Sequence, residues 1–386
     1  MDQSTHVLDP DGEVIILLNN PSPPFALWNE KAVPSQLLQD HPEPSLHSEE
    51  PSGEPAEEPA EEPAEEPAEE PAEVHVEFTV EETAEERQIA ESVDGRSDSK
   101  HTSLPEKHYS NQVSAKHLML ASPVFKKIIM GGWRESVTFL QKGSVEISTE
   151  GWDIEALLIL LRVFHCQHKD IPRKLSLEML AKIALIVDYY DCKEAMGIFL
   201  DVWVGDLPET PLTYSRNLIL WLWISWVFQL PRHFKNVTSI AMSYSPCYIS
   251  CSGLPIPERI LGEMNSRREE AIESMICQLY EEQMAFLHNK RGCSFECRSI
   301  MYGALTKEMV SSGLYLPRPE PPFLGLNYKM LGSRVRSFKA PKWWGSWSHY
   351  HSGYHGGHKC IDSSFESLFG KQREDIEGLD LSYYIS

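Results

Sequence analysis

Residues 54–73 are five consecutive copies of Glu-Pro-Ala-Glu, and no globular element can be built from them. A proline at every fourth position removes a backbone donor from each turn and clashes with the turn before it, which excludes a stable helix. The repeated like charges push what remains open. The wider stretch 21–108 is rich in Pro, Glu, Ser and Ala, too poor in apolar residues to offset the entropy of ordering, and is expected to be a disordered acidic insertion. Within it, residues 74–80 (VHVEFTV) alternate with period two and read as a short edge strand or as a partner-binding motif. The acidic tract itself reads as a solubilising spacer or as a docking tether.

The same tract explains the charge of the chain. Residues 43–91 hold nineteen Glu and a single basic residue, Arg87, so eighteen of the 22 net negative charges lie there. The remainder is near neutral, so the total implies neither a polyanion mimic nor an acidic enzyme. The start, MDQSTHVLDPDGEV, lacks the basic and apolar regions of a secretory signal, and eight Cys in 386 residues are too sparse for a disulfide scaffold. An intracellular location, cytoplasm or nucleus, is expected. The most apolar run, residues 218–230 (LILWLWISWVFQL), is thirteen residues long, short of the roughly 20 a bilayer core requires, and reads as a buried helix rather than a membrane span.

Two stretches flank the insertion and can fold. Before it, a turn at Asp11-Gly12 leads into the apolar run Val14-Ile15-Ile16-Leu17-Leu18. A lone strand is unstable in water, so this one must pair with a segment further along the chain. After it, Ser114 can cap a short helix, and Ser122-Pro123 is a cap-plus-first-turn pattern for a second helix ending near Gly131-Gly132. Val145, Glu146, Ile147 and Ser148 alternate as a strand. Ile154, Leu157, Leu158, Leu161 and Phe164 recur at helical spacing, and Ser176 heads another helix with Leu175 and Leu180 placed as a hydrophobic staple. Residues 194–204 read as a further helix.

This order, with Leu118-Met119-Leu120-Ala121-Ser122-Pro123-Val124-Phe125 at its centre, resembles the BTB/POZ domain, of the type found in filamentous fungi. The resemblance covers about residues 9–18 and 111–206. The family's Leu-x-x-x-Ser-x-x-Phe signature is present as Leu118, Ser122 and Phe125, while its preceding histidine is replaced by Ser114. The resemblance implies a fold class of α+β: a small BTB/POZ-like sheet with helices, interrupted by the acidic insertion and followed by an all-helical C-terminal domain. Strand 1–20, insertion 21–108, the remainder of the BTB-like domain 109–206, a helical domain 207–316 and a loosely structured Pro-rich, basic and His-rich tail 317–386 are the expected divisions. It also implies a protein–protein interaction module, acting through self-association or as an adaptor in ubiquitin ligase or transcriptional complexes. Its partners would be a second copy or a cullin-type scaffold. Val113, Leu118, Leu120, Phe125, Trp133 and Tyr189 are the candidate interaction residues, several of which also suit a core.

No Gly-rich phosphate loop, nucleophile elbow or His-Glu-x-x-His motif occurs, so no enzyme, and no organic cofactor, is expected. The C-terminal third offers other chemistry. Cys293 and Cys297 are spaced for one helix face, and His349, His351, His355, His358 and Cys360 cluster downstream. Thiolate and imidazole together suit tetrahedral zinc, and Cys293, Cys297, His358 and Cys360 form a candidate ligand set for a zinc-stabilised binding module. Buried structural cysteines and surface histidines are the alternative reading. Lys329, Arg334, Arg336, Lys339, Lys342 and Lys359, interleaved with Trp343, Trp344 and Trp347, read as a basic strip packed by tryptophan. A nucleic-acid grip is the less favoured reading, because the rest of the chain is acidic.

Overall fold

A computed structural model of the chain describes residues 3–28, 108–343, 358, 360–370 and 373–385; the acidic repeat, residues 74–80, His349, His351, His355, Trp344, Trp347 and Lys359 lie outside them. The architecture is α+β. Four strands, β1 (Gln3–Val7), β2 (Val14–Asn19), β3 (His108–Val113) and β4 (Val145–Glu150), form one mixed sheet in the order β1-β3-β2-β4. The opening apolar run does find its partner across the insertion. β2 pairs antiparallel with β3, Val14 opposite Val113 and Leu18 opposite Tyr109. On its other side β2 takes β4 in parallel, Val14 opposite Val145. Strand β1 was not legible in the sequence; it adds to the outer edge of β3 in parallel.

Alternation along β2 directs Val14, Ile16 and Leu18 into the core, where all three are fully buried with Val113. Asn111 is also fully buried, and its side-chain amide donates to the Ile16 carbonyl at 3.2 Å, fixing the register from the strand face. Ser114 stands at the start of α1 (Ala115–Ala121) but makes no side-chain cap. Its backbone N–H instead donates to His165 Nε2 at 2.9 Å, which leaves Nδ1 as the protonated nitrogen that donates to the Leu161 carbonyl at 2.7 Å. Burial, with the neighbouring His117 imidazole adding to it, holds His165 below the ordinary imidazole range against the opposing Leu161 carbonyl and Asp9.

Ser122 does two jobs. Its hydroxyl accepts the Phe125 N–H at the head of α2 (Pro123–Met130) and donates to the Tyr190 carbonyl at 2.6 Å. Phe125 stacks on Tyr190 with ring centroids 4.2 Å apart, so the signature Leu-x-x-x-Ser-x-x-Phe acts as a packing device between α2 and α5 (Leu177–Tyr190). A third helix, α3 (Arg134–Lys142), precedes β4 and was not foreseen. Ser176 caps α5 as expected, and Asp153 caps α4 (Ile154–Phe164). Residues 193–196 form a 3-10 turn before α6 (Gly197–Asp206), so the helix expected from residue 194 begins slightly later.

The tryptophan-rich run forms α7 (Arg216–Val227), in which every residue from Leu218 to Ser225 is buried. It packs on α5, with Trp223 Nε1 donating to the Ala181 carbonyl, while Arg216 at its head donates to the Phe25 and Ala26 carbonyls. From there α8 (Pro231–Tyr244), the long α9 (Glu258–Leu287) and α10 (Phe295–Ser311) pack in sequence, and only helices follow β4 among the described residues. No helix of the described residues is long and apolar enough to cross a membrane. The segment from Pro317 differs from the loose tail expected of it: it carries α11 (Tyr328–Arg336), packed on α8 and α9, and the short α12 (Phe365–Phe369). One reason is Arg268 of α9, whose fully buried guanidinium donates to the carbonyls of Ser245, Pro322, Phe323 and Leu326 and so anchors the Pro-rich passage.

Candidate metal centre

Cys293, Cys297, His358 and Cys360 come together. One donor atom from each lies within 4.8 Å of the others, with His358 Nε2 at 3.5 Å from Cys293 Sγ and 3.3 Å from Cys297 Sγ. The first pair is not on one helix face as its spacing suggested. Cys293 precedes α10, and Cys297 is its third residue; Ser294 is the cap, accepting the Cys297 N–H at 3.2 Å. The turn that leads in contains Gly292 at φ +82°, a backbone region closed to side chains that carry a Cβ.

The second pair, His358 and Cys360, is delivered by the segment that leads into α12. Asp362 fixes it: one carboxylate oxygen accepts from Arg291 Nη1 and the other from the Gly292 N–H, both at 3.0 Å. Arg291 is itself braced by Glu282 at 2.7 Å. The Trp343 ring lies 4.4 Å from the His358 ring, and its Nε1 donates to the Ser363 carbonyl. Loss of water around Cys293 raises its thiol above the ordinary range, and the adjacent Cys360 and Cys297 thiols raise it further. Three thiolates this close would repel one another, and a cation between them would offset that repulsion. Cys192 makes the contrast, a buried core thiol that desolvation pushes up to about 12, with Asp191 adding to it and no second sulfur or imidazole beside it in the described contacts.

The candidate interaction residues divide by burial. Val113, Leu118 and Phe125 are fully buried and build the core, so they offer no contact surface. Leu120, Trp133 and Tyr189 are 87, 59 and 60% exposed. Met130 of α2, and Val137 and Leu140 of the unforeseen α3, are exposed as well. An open groove of about 680 Å³ lies between α3 and β4, lined by Trp133, Thr138, Lys142 and Glu146 among others. The basic strip is partly spoken for. Lys329 pairs with Asp375 at 3.0 Å and Arg334 donates to the Ser312 carbonyl, both within the molecule.

The fold and site thus define an α+β protein with a four-stranded mixed sheet, a helical C-terminal layer and a Cys/His cluster able to hold a metal ion. No protein-family model matches the chain, and no curated protein matches it.

Proposed function

We propose that this chain is a protein-interaction scaffold of the BTB/POZ type rather than an enzyme, its partners being a second copy of itself or a cullin-type scaffold protein. The observation that supports this most is the antiparallel pairing of β2 with β3 across the insertion, which joins the two stretches that the resemblance covers. The exposed Leu120 and Trp133 on α1 and at the head of α3 supply apolar contact area of the kind interfaces use. Light scattering on the purified chain, with affinity purification and mass spectrometry on Leu120→Glu and Trp133→Glu, tests it. A monomer whose partner set is unchanged by both substitutions sinks the reading.

The Cys/His cluster carries a second reading, a bound zinc ion. Tetrahedral zinc, with Zn–S of about 2.3 Å and Zn–N of about 2.0–2.1 Å, places a thiolate sulfur and an imidazole nitrogen about 3.6 Å apart. The two sulfur-to-nitrogen separations here, 3.5 and 3.3 Å, match that span. Soft thiolates select zinc over magnesium or calcium. All four positions are filled by protein, so the ion would be structural. Metal analysis after dialysis decides it; sub-stoichiometric zinc in folded material removes the reading.

A further inference from the structure

Beyond Cys360 the chain turns back over the helical layer as a strap. Phe365 and Phe369 meet Phe338 edge-on, at centroid distances of 6.2 and 6.5 Å. Gln278 of α9 donates to the Leu368 carbonyl, and the Tyr328 hydroxyl of α11 donates to the Arg373 carbonyl. On α8, Ser239 donates to the Ile376 carbonyl at 2.6 Å, while the N–H groups of Ile376 and Leu379 donate to Ser243 and Thr238. Gly378 runs so close to this helix that a Cβ would lie 1.8 Å from the Lys235 carbonyl oxygen. The last contact is Arg259 of α9 donating to the Tyr384 carbonyl.

Most of these links are single hydrogen bonds or exposed ion pairs such as Lys235–Glu377, each of small net worth in water. The strap's buried apolar side chains, Phe365, Leu368, Phe369, Ile376, Leu379 and Leu381, supply the rest of the hold. Its upstream end, however, is His358 and Cys360, two of the four clustered donors, held to a turn 61 positions earlier in the chain. An ion bound by all four would tie that end to α10 through coordinate bonds, and the binding free energy would become folding free energy of the strap.

We infer that the cluster is a metal lock on the C-terminal strap: zinc bound by Cys293, Cys297, His358 and Cys360 keeps residues 360–370 and 373–385 seated on α8, α9 and α11, and loss of the ion releases them. The inference rests on the zinc reading above and adds what the ion controls. Cys293 is the exposed member of the set, whereas Cys297 is buried, so the ion leaves and enters on the Cys293 side.

The test uses the full reduced chain, with zinc content and peptide-resolved hydrogen exchange measured before and after a zinc chelator, then after zinc is restored. The expected result is one zinc per chain and, on chelation, exchange in 360–385 faster by about tenfold or more, with β2, β3 and α5 unchanged and the effect reversed by zinc. Cys293→Ser should retain less zinc through dialysis and show the faster exchange without chelator. Stoichiometric zinc whose removal leaves the strap's exchange unchanged overturns the lock while leaving the zinc reading standing. Exchange that rises equally throughout the sheet on chelation also overturns it, since the ion would then hold the whole fold. A folded chain without zinc overturns both.

Discussion

Two places in this molecule join segments that lie far apart in sequence, and they do it by different chemistry. Asn19 and His108 flank an excursion of 89 positions, closed by a backbone ladder over a fully buried apolar face. Cys297 and His358 are 61 positions apart and are closed by side-chain donors at a solvent boundary. Loop closure is of similar difficulty in both, since doubling a loop adds only about 0.6 kcal/mol. What differs is the source of the closing free energy. The ladder draws on apolar burial, which needs nothing but the chain. The cluster brings together three thiols that repel once ionised; Asp362 holds its two halves together, and on the proposed reading a cation supplies the rest.

The comparison breaks first at the sheet. Ile16→Ala should destabilise the protein by about 2–5 kcal/mol, read as a lower urea midpoint, because it empties a fully buried site under both β3 and β4; a loss below that range would mean the sheet is not the self-sufficient closure. Asp362→Ala should cost about 1–3 kcal/mol and act locally, raising hydrogen exchange in 360–385 and leaving β2 protected, since it removes a charge-assisted bond and a backbone bond at one edge. Ser122→Ala should cost about 0.5–2 kcal/mol through loss of the α2 cap and the Tyr190 link.

A smaller effect belongs to pH. His165 is bound neutral and its folded value is depressed, so the unfolded chain takes up the proton first. Its contribution is therefore present above the ordinary imidazole value of 6.5 and is lost as pH falls below it. Urea midpoints between about pH 7.5 and about pH 5.5 should decline, and His165→Gln should flatten the decline. Least of all, deleting residues 54–73 should alter stability by no more than about 0.3 kcal/mol, since it only shortens a long closed loop; a large shift in melting temperature would show that the acidic tract touches the fold.

Much of the sheet was readable because its signals are local. Val14, Ile16 and Leu18 alternate, Ser122 precedes Pro123, and Ser176 and Asp153 stand where caps belong. Strand β1 and helix α3 were not readable: β1 has no apolar alternation long enough to register, and α3 presents a mostly polar surface with only Ser136 buried. The four donors could be named from residue type and proximity in sequence. The manner in which they meet could not, since Cys297 belongs to a helix and Cys293 only to the turn before it. Burial also separated Leu120 from Leu118 and Phe125, its neighbours in one short motif.

Composition and periodicity alone set the expectation that residues 54–73 cannot sustain a helix, and determined that the strand before them needs a distant partner and that thiols and imidazoles concentrate in the last third. Those properties reside in single residues and their near neighbours. Which partner the strand takes, which apolar side chains stay in water, and whether His358 reaches Cys293 were decided by the tertiary structure. Each is a contact across scores of residues, set by how whole elements pack, and no local pattern encodes such a distance.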